Sequence, residues 1–321
     1  MADPKGGGPD SARPSLGRDL LALTKPRVIS LLLVTAVAPM FIAGQGVPPL
    51  SLIGAVLLGG FLMAGGANAI NMWFDQDIDH HMSRTRLRPV PAGRLPARMA
   101  LLFGIGLGAL AFGILWRLAN PLSAWLALGG LLFYVLVYTV WLKRSTPQNI
   151  VIGGAAGAFP PLVGYAAVAG RLDLTAFYLF AIIFYWTPPH FWALALLKRG
   201  EYAKAGVPML PVVRGERETK VQMLIYTLIL LPLTLLPALF GAFGALYAVA
   251  ALALGGRFLW YNLQLLREEG VTPTAWRMYK YSLAYLALLF LAMGVDHQVP
   301  REAAAEPAPG EVLILDQPAG R

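Results

Sequence analysis

Three polar side chains recur at helical spacing where an apolar segment ends. Asn71, Asp75 and Asp79 are spaced four residues apart, from the last turn of that segment onward. If the helix continues through them, they form one stripe over about 12 Å, with Asp77 on the opposite face. Like-charged carboxylates one turn apart repel unless a cation lies between them. Three oxygen ligands on one face suit Mg²⁺, which binds through carboxylates together with substrate phosphates.

Four arginines follow this stripe, namely Arg84, Arg86, Arg88 and Arg94. Guanidinium groups bind phosphate oxygens in a bidentate manner. Carboxylates followed by arginines therefore predict a diphosphate–Mg²⁺ site. An ordinary charged loop, with the arginines acting as topology signals, is the alternative. It does not explain an Asn and two Asp on one helical face beside an apolar span, where charges are costly and usually functional.

A second polar group surrounds a histidine in another apolar segment. His190 follows Pro188-Pro189 and precedes Lys198 by eight residues, which places it about 12 Å inside the apolar region. Adjacent prolines free backbone carbonyls and kink a helix. A pocket role beside Trp192 and a packing role are both open. Glu201 is either a carboxylate of a second metal site or a solvated surface acid.

Basic pairs also border two apolar segments. Lys143-Arg144 ends one and Lys25 with Arg27 begins another. Both pairs are candidates for membrane-interface anchors or for lining the phosphate site. The pair His80-His81 adjoins the acidic stripe, but carboxylates this close favour Mg²⁺ over Zn²⁺.

The composition identifies the class of protein that positions these residues. Charged residues make up 13% of the 321 residues, hydrophobic residues 57%, and the mean hydropathy is +0.60. So few charges cannot cover the surface of a soluble protein, so we expect an integral membrane protein and exclude a cytosolic enzyme, a DNA-binding factor and a secreted domain. The net charge of +9 is therefore not evidence for nucleic-acid binding. The absence of Cys excludes disulfides and thiolate metal sites.

Apolar stretches of about 20 residues predict transmembrane helices. The sequence predicts an all-α bundle with nine of them: 26–44, 50–73, 98–117, 122–142, 149–169, 174–197, 219–240, 243–264 and 276–294. Residues 26–295 form one domain in this prediction. The segments 1–25 and 296–321, rich in Gly, Pro, Ala and charge, are predicted to be flexible.

The positive charges predict the orientation of the bundle. With nine helices, all but four of the 26 Lys and Arg fall on one side, which the positive-inside rule makes cytoplasmic. The N-terminus is then inside and the C-terminus outside. Both long polar loops, 75–97 and 198–218, lie on the cytoplasmic side, so we expect the site to open there, in a bacterial inner membrane.

Several motifs together resemble the intramembrane aromatic prenyltransferase (UbiA) superfamily, and within it the branch that prenylates haem. The resemblance covers residues 25–295. Met72 stands where the superfamily's first motif has an aspartate, and only Glu201 stands near its second acidic motif. The motifs are Thr24-Lys-Pro-Arg27, the 71–94 segment, Thr146-Pro-Gln-Asn149 with the small residues to Gly157 and Pro160-Pro161, Thr187-Pro-Pro-His-Phe-Trp192, and Tyr202-Ala-Lys-Ala-Gly-Val-Pro-Met-Leu-Pro-Val-Val213.

The resemblance implies a nine-helix bundle around a central cavity with a cytoplasmic polar cap. It implies transfer of farnesyl from farnesyl diphosphate to the 2-vinyl group of haem B, with addition of water, giving haem O for terminal oxidases. Mg²⁺ would be held by Asn71, Asp75 and Asp79, with Glu201 as a further ligand. A haem A synthase or oxidase assembly proteins would be partners.

The remaining candidates divide into two sets under this hypothesis. Arg84, Arg88 and Lys143 would stabilise the leaving diphosphate, and His190 would act as haem-iron ligand, propionate partner or proton relay. The other expected substrate-binding residues are Arg27, Arg86, Arg94, Trp192, Lys198 and Tyr202.

Three other functions compete with this hypothesis. A quinone-pathway prenyltransferase would use the same diphosphate site with an aromatic acceptor. A transporter would carry polar residues in both halves of the membrane and inverted repeats, which the sequence lacks. A non-catalytic haem carrier would bind haem without requiring Mg²⁺.

Overall fold

The computed structural model describes residues 15–44, 46–270 and 272–299. Within these ranges the chain is all-helical, with nine long helices and no strand. The nine are α1 Pro26–Ala43, α2 Leu50–Phe74, α3 Ala97–Leu118, α4 Pro121–Ser145, α5 Asn149–Ala169, α6 Leu174–Leu197, α7 Gly215–Leu239, α8 Ala245–Arg267 and α9 Pro273–Gln298. These bounds lie within about four residues of the nine predicted spans.

Eight of these helices are long and apolar enough to cross a membrane, which makes the chain an integral membrane protein. The exception in the described ranges is α8. It forms where the eighth span was predicted, but Arg257, Asn262 and Gln264 lower its apolar character. The ninth span and the predicted orientation therefore stay predictions.

Each long helix packs on the next one along the chain, and α9 returns to pack on α1 as well as α6. The helices thus close into a ring. Because helix directions alternate, the segment before α1, the α2–α3 loop, the end of α4 and the α6–α7 loop meet at one end. We call this the polar end; it carries the short helices Leu16–Thr24, Gln76–His80, Arg199–Lys204 and Leu210–Val213.

Residues 15–24 differ from the prediction of a flexible segment 1–25. Leu16–Thr24 is a helix, and its Leu23 is fully buried against the α2–α3 region. Asp19, 4% exposed, accepts hydrogen bonds from Arg94 Nε at 3.0 and 3.2 Å. This helix therefore belongs to the folded body. Residues 1–14 and 300–321 lie outside the described residues.

Part of α4 is wound as a π-helix, from Phe133 to Leu142. Thr139 Oγ1 there donates to the Tyr134 carbonyl, five residues earlier, at 2.9 Å. The wider turns rotate the end of α4 relative to an ordinary helix, and such stretches often occur at functional sites. The rotation sets where Thr139 and Lys143 point.

Glycines allow two pairs of helices to approach closely. A Cβ on Gly104 of α3 would lie 2.8 Å from the Gly66 carbonyl oxygen of α2 and 2.7 Å from Ile70 Cγ1. In return, a Cβ on Gly66 of α2 would lie 2.6 Å from the Gly104 carbonyl oxygen of α3. A Cβ on Gly164 of α5 would lie 1.7 Å from the Ala36 carbonyl oxygen of α1. The α2–α3 contact matters most here, because α2 carries the acidic stripe.

Gly104→Ala should lower the thermal stability of the purified protein, by an amount corresponding to about 1–3 kcal/mol of overpacking. Gly106→Ala on the same helix is the matched control, because nothing lies within 4 Å of its added Cβ. The measurement is the melting temperature of both variants in detergent. Equal melting temperatures would contradict the close α2–α3 contact.

Candidate active site

The acidic stripe lies at the polar end, where α2 passes into the short helix Gln76–His80. Asp75 leaves regular helical geometry, but its N–H still donates to the Asn71 carbonyl at 2.9 Å, and the Asp79 N–H donates to the Asp75 carbonyl at 2.8 Å. The helical spacing of the three residues therefore continues. Asn71, Asp75 and Asp79 are 4%, 0% and 3% exposed, while the Asp77 side chain is 59% exposed. The predicted division into two faces is confirmed.

Each buried carboxylate of the stripe has a cationic partner. Lys143 Nζ donates to Asp75 Oδ2, and Arg88 donates to Asp79 Oδ2 at 2.7 Å. Arg144 binds the exposed Asp77 at 2.7 and 2.8 Å, lies 3.5 Å from Asp75 Oδ1, and lowers the pKa of Asp77 by its hydrogen bond. Buried charges require such compensation. Two negative and two positive groups thus meet below the protein surface.

Asn71 is oriented from two sides by residues distant in sequence. Its Nδ2 donates to Asp75 Oδ2 at 2.6 Å and to Thr139 Oγ1 at 3.2 Å, and its Oδ1 accepts from Lys25 Nζ at 3.1 Å. Thr139 had no sequence signal, because the π-helical rotation of α4 brings it here. Lys25 has φ 56° and ψ 61°, and this turn between Leu16–Thr24 and α1 directs its side chain inward.

Lys25 is the cation whose environment is most perturbed at this end. Burial lowers the pKa of its ammonium well below the usual value, and the nearby Arg88 adds repulsion, while Asp79 and Asp75 oppose the shift. An anion placed between these groups would stabilise the charged lysine. The sequence indicated Lys25 as a candidate either for a membrane-interface anchor or for lining the phosphate site.

Glu201 is not bonded to the stripe; it lies with Ser83 and Lys198 in the loops at the outer edge of the polar end, which we call the rim. It accepts hydrogen bonds from Ser83 Oγ at 2.8 Å, from Ser83 N–H at 3.2 Å and from Lys198 Nζ at 2.8 Å. The Lys198 hydrogen bond holds the pKa of this carboxyl below its usual range. Glu201 therefore ties the α6–α7 loop to the α2–α3 loop, which closes the polar end over the stripe.

The other predicted arginines differ in their surroundings. Arg84 is exposed at the rim, where its charge opposes the burial that raises the pKa of Tyr202. Arg94 does not join the stripe, because Asp19 and the Leu87 carbonyl bind its guanidinium. Arg27 and Arg86 are exposed, and no side-chain hydrogen bond or ion pair links either to the stripe in the described part of the chain.

His190 lies inside the bundle, on α6, and is 5% exposed. Its ring is stacked between Trp186, at 4.3 Å and 15°, and Tyr279 of α9, at 4.9 Å and 20°. Its Nδ1 lies 2.6 Å from Ser282 Oγ. The sequence left a pocket role and a packing role open for His190, and its partners on α9 carried no signal. Trp192 instead lines a cavity of about 300 Å³ beside α7 and is 2% exposed.

The stripe offers carboxylate and amide oxygens, which are the ligand types that a hard divalent cation prefers. Within residues 15–44, 46–270 and 272–299, no group of three His, Cys, Asp or Glu side chains is clustered as a metal site. Any cation here would therefore depend on Asn71 and on oxygens of a bound ligand. A phosphate-bearing substrate supplies such oxygens, and Arg88, Lys143 and Lys25 are the cations placed to bind it.

Comparison with known proteins identifies the family to which this sequence is similar. Residues 31–295 match the model of the UbiA prenyltransferase family. The protoheme IX farnesyltransferase of Roseiflexus sp. (strain RS-1) is 56% identical over 287 residues, 89% of this chain and 54% of that protein. The chain spans about half the length of this relative and of four similar ones. The protoheme IX farnesyltransferase of Symbiobacterium thermophilum is 56% identical over 87% of this chain and 94% of its own length.

Solved structures share the fold at low sequence identity. A digeranylgeranylglyceryl phosphate synthase structure aligns with a TM-score of 0.72 at 20% identity, covering 88% of this chain and 98% of that one. A UbiA homolog from Archaeoglobus fulgidus, bound to GPP and Mg²⁺, aligns with a TM-score of 0.66 at 18% identity, covering 86% and 99%. The family match and the identity to its relatives extend over most of the sequence, so this chain belongs to the UbiA prenyltransferase family.

Proposed function

We propose that the protein transfers the farnesyl group of farnesyl diphosphate to the 2-vinyl group of haem B. Water adds in the same overall reaction, so the products are haem O and diphosphate. One observation carries the proposal: a buried row of Asn71, Asp75 and Asp79 faces Lys143 and Arg88 in an apolar bundle. The names of relatives at 56% identity supply the acceptor.

Mg²⁺ is the proposed metal, with Asn71, Asp75 and Asp79 as its protein ligands and Glu201 as a weaker candidate. When bound, the ion neutralises diphosphate charge and favours departure of the leaving group. The A. fulgidus homolog with GPP and Mg²⁺ supports this assignment for the family fold. Glu201 is held by Ser83 and Lys198 at the rim, so its role there is structural unless a ligand displaces those contacts.

The cations of the polar end hold the diphosphate and stabilise its charge as the allylic C–O bond breaks. Arg88 and Lys143 pair with the carboxylates of the stripe. Lys25 donates a hydrogen bond to Asn71. Arg84, Lys198 and Tyr202, which belong to the loops of the same end, are further proposed substrate contacts. The apolar helices below keep water from trapping the farnesyl cation before the vinyl group attacks.

The location and partners follow from the same proposal. The polar end faces the cytoplasm of a bacterial inner membrane, in agreement with the distribution of Lys and Arg. Farnesyl diphosphate and haem B are the substrates and the lipid bilayer is the surrounding phase. A haem A synthase or oxidase assembly proteins are the partners that would receive haem O.

The direct test incubates detergent-purified protein with haem B and farnesyl diphosphate, with and without Mg²⁺, and examines the haem by mass spectrometry. We expect a hydroxyethylfarnesyl haem that forms only with Mg²⁺. Unchanged haem, together with prenylation of an aromatic acid or naphthoate, would instead assign a quinone-pathway acceptor. Haem binding with no product under either condition would favour the carrier function.

Asp75→Ala and Asp79→Ala should each reduce turnover by more than about 100-fold, because each removes a charge that positions the metal and diphosphate. Membrane insertion should be retained, while the melting temperature should fall because each variant leaves a cation unpaired. Asp77→Ala is the matched control, since its side chain is 59% exposed on the opposite face. Activity of Asp75→Ala within a few-fold of the wild type would refute the metal assignment.

Arg88→Ala and Arg94→Ala should have different effects. Arg88 faces the stripe, so its loss should raise the KM for farnesyl diphosphate and lower kcat by about tenfold or more. Arg94 is bound to Asp19, so its loss should lower the melting temperature and leave KM nearly unchanged. Steady-state kinetics and thermal unfolding of both variants distinguish the roles; equal KM shifts would overturn the assignment.

A further inference from the structure

His190 is held on nearly every side by named contacts. Trp186 and Tyr279 cover the two faces of its imidazole ring, and Ser282 occupies the Nδ1 edge. The Phe191 ring stands edge-on to it, at 5.2 Å and 86°. Nε2 forms no hydrogen bond with the described residues. The Nε2 edge is therefore the edge of the ring that has no polar partner among the described residues.

Ser282 gives the ring proton a preferred position. Ser282 Oγ lies 2.7 Å from the carbonyl oxygen of Tyr279, to which its hydroxyl can donate. With the hydroxyl directed there, the same oxygen accepts from the Nδ1–H of His190, 2.6 Å away. In this tautomer Nε2 carries a lone pair in the plane of the ring. This is the form in which histidine binds a metal.

Helix α9 contacts Trp186 and His190 through both its backbone and its side chains. The Ser282 carbonyl accepts from Trp186 Nε1 at 2.9 Å, while its hydroxyl holds His190. Tyr279, one turn earlier, covers a ring face. An imidazole that served only to fill space would not need both a hydrogen bond and a stacked ring from one neighbouring helix to orient it. A pre-oriented lone pair inside an apolar bundle suits an iron porphyrin, whose large ring is apolar.

We propose that His190 binds the iron of the haem substrate through Nε2, and that Ser282 is the positioning residue that keeps Nε2 unprotonated and aimed. The inference rests on the proposed function and adds how the acceptor is held. Coordination forms one Nε2–Fe bond and changes no oxidation state. A porphyrin held by its iron is anchored at one point inside the bundle, which limits the distance between its vinyl groups and the bound farnesyl diphosphate.

The experiment titrates ferric haem B, without farnesyl diphosphate, into detergent-purified full-length protein and records optical and electron paramagnetic resonance spectra. Metal-free protoporphyrin IX is titrated in parallel by fluorescence. We expect a histidine-ligated iron spectrum in the wild type. His190→Ala should lose that spectrum, regain it with added imidazole, and bind metal-free protoporphyrin IX as the wild type does, which also shows that it is folded.

Ser282→Ala separates positioning from ligation. Outer-shell groups of this kind affect metal affinity by about 10–100-fold, so the variant should bind ferric haem more weakly by that factor while retaining a histidine-ligated spectrum. Its affinity for metal-free protoporphyrin IX should not change. His80→Ala, which removes an exposed histidine at the polar end, is the matched control and should leave both titrations unchanged.

The outcomes separate this inference from the proposed function. An unchanged iron spectrum in His190→Ala, or an equal loss of affinity for metal-free protoporphyrin IX, would overturn it even if the wild type farnesylates haem. Loss of iron ligation in His190→Ala alone would support it even if no prenylated haem were formed. Wild-type protein that binds no haem would overturn both proposals.

Discussion

The structure depends on the burial of two carboxylates, Asp75 and Asp79, at one end of an apolar helix bundle. Unpaired charges in such surroundings would be strongly destabilising. Lys143, from the end of α4, and Arg88, from the α2–α3 loop, compensate them. The contacts therefore fix how α2, α4 and the loop meet. The same requirement leaves a site whose charges balance without substrate and can be redistributed around an anion and a divalent cation.

A second constraint acts deeper in the bundle, where α6 meets α9. Two adjacent prolines leave α6 without two of its backbone donors, yet the helix runs unbroken from Leu174 to Leu197. Trp186 and His190 on this helix are both bonded to Ser282. The polar end and the His190 site are thus carried by different helices of one closed ring. In the proposed reaction, the donor is held at the first and the acceptor at the second.

Periodicity and charge predicted much of this arrangement. Apolar length predicted the helix bounds, and the four-residue spacing predicted the buried stripe and the exposure of Asp77. Contacts between distant segments were not predictable. Thr139 reaches Asn71 only because α4 is wound as a π-helix, and Lys25 only because its backbone adopts a left-handed turn. Arg94 matched the phosphate-binding pattern, but the helix Leu16–Thr24, in a segment whose composition indicated flexibility, provides its partner Asp19.

The row Asn71, Asp75 and Asp79 is the proposed site for Mg²⁺ and a prenyl diphosphate. Calorimetric titration of farnesyl S-thiolodiphosphate, which resists ionisation, tests whether both bind there. We expect binding that requires Mg²⁺ in the wild type and in Asp77→Asn, and that is lost in Asp75→Asn. Binding of equal affinity in Asp75→Asn, or in the wild type without Mg²⁺, would contradict it.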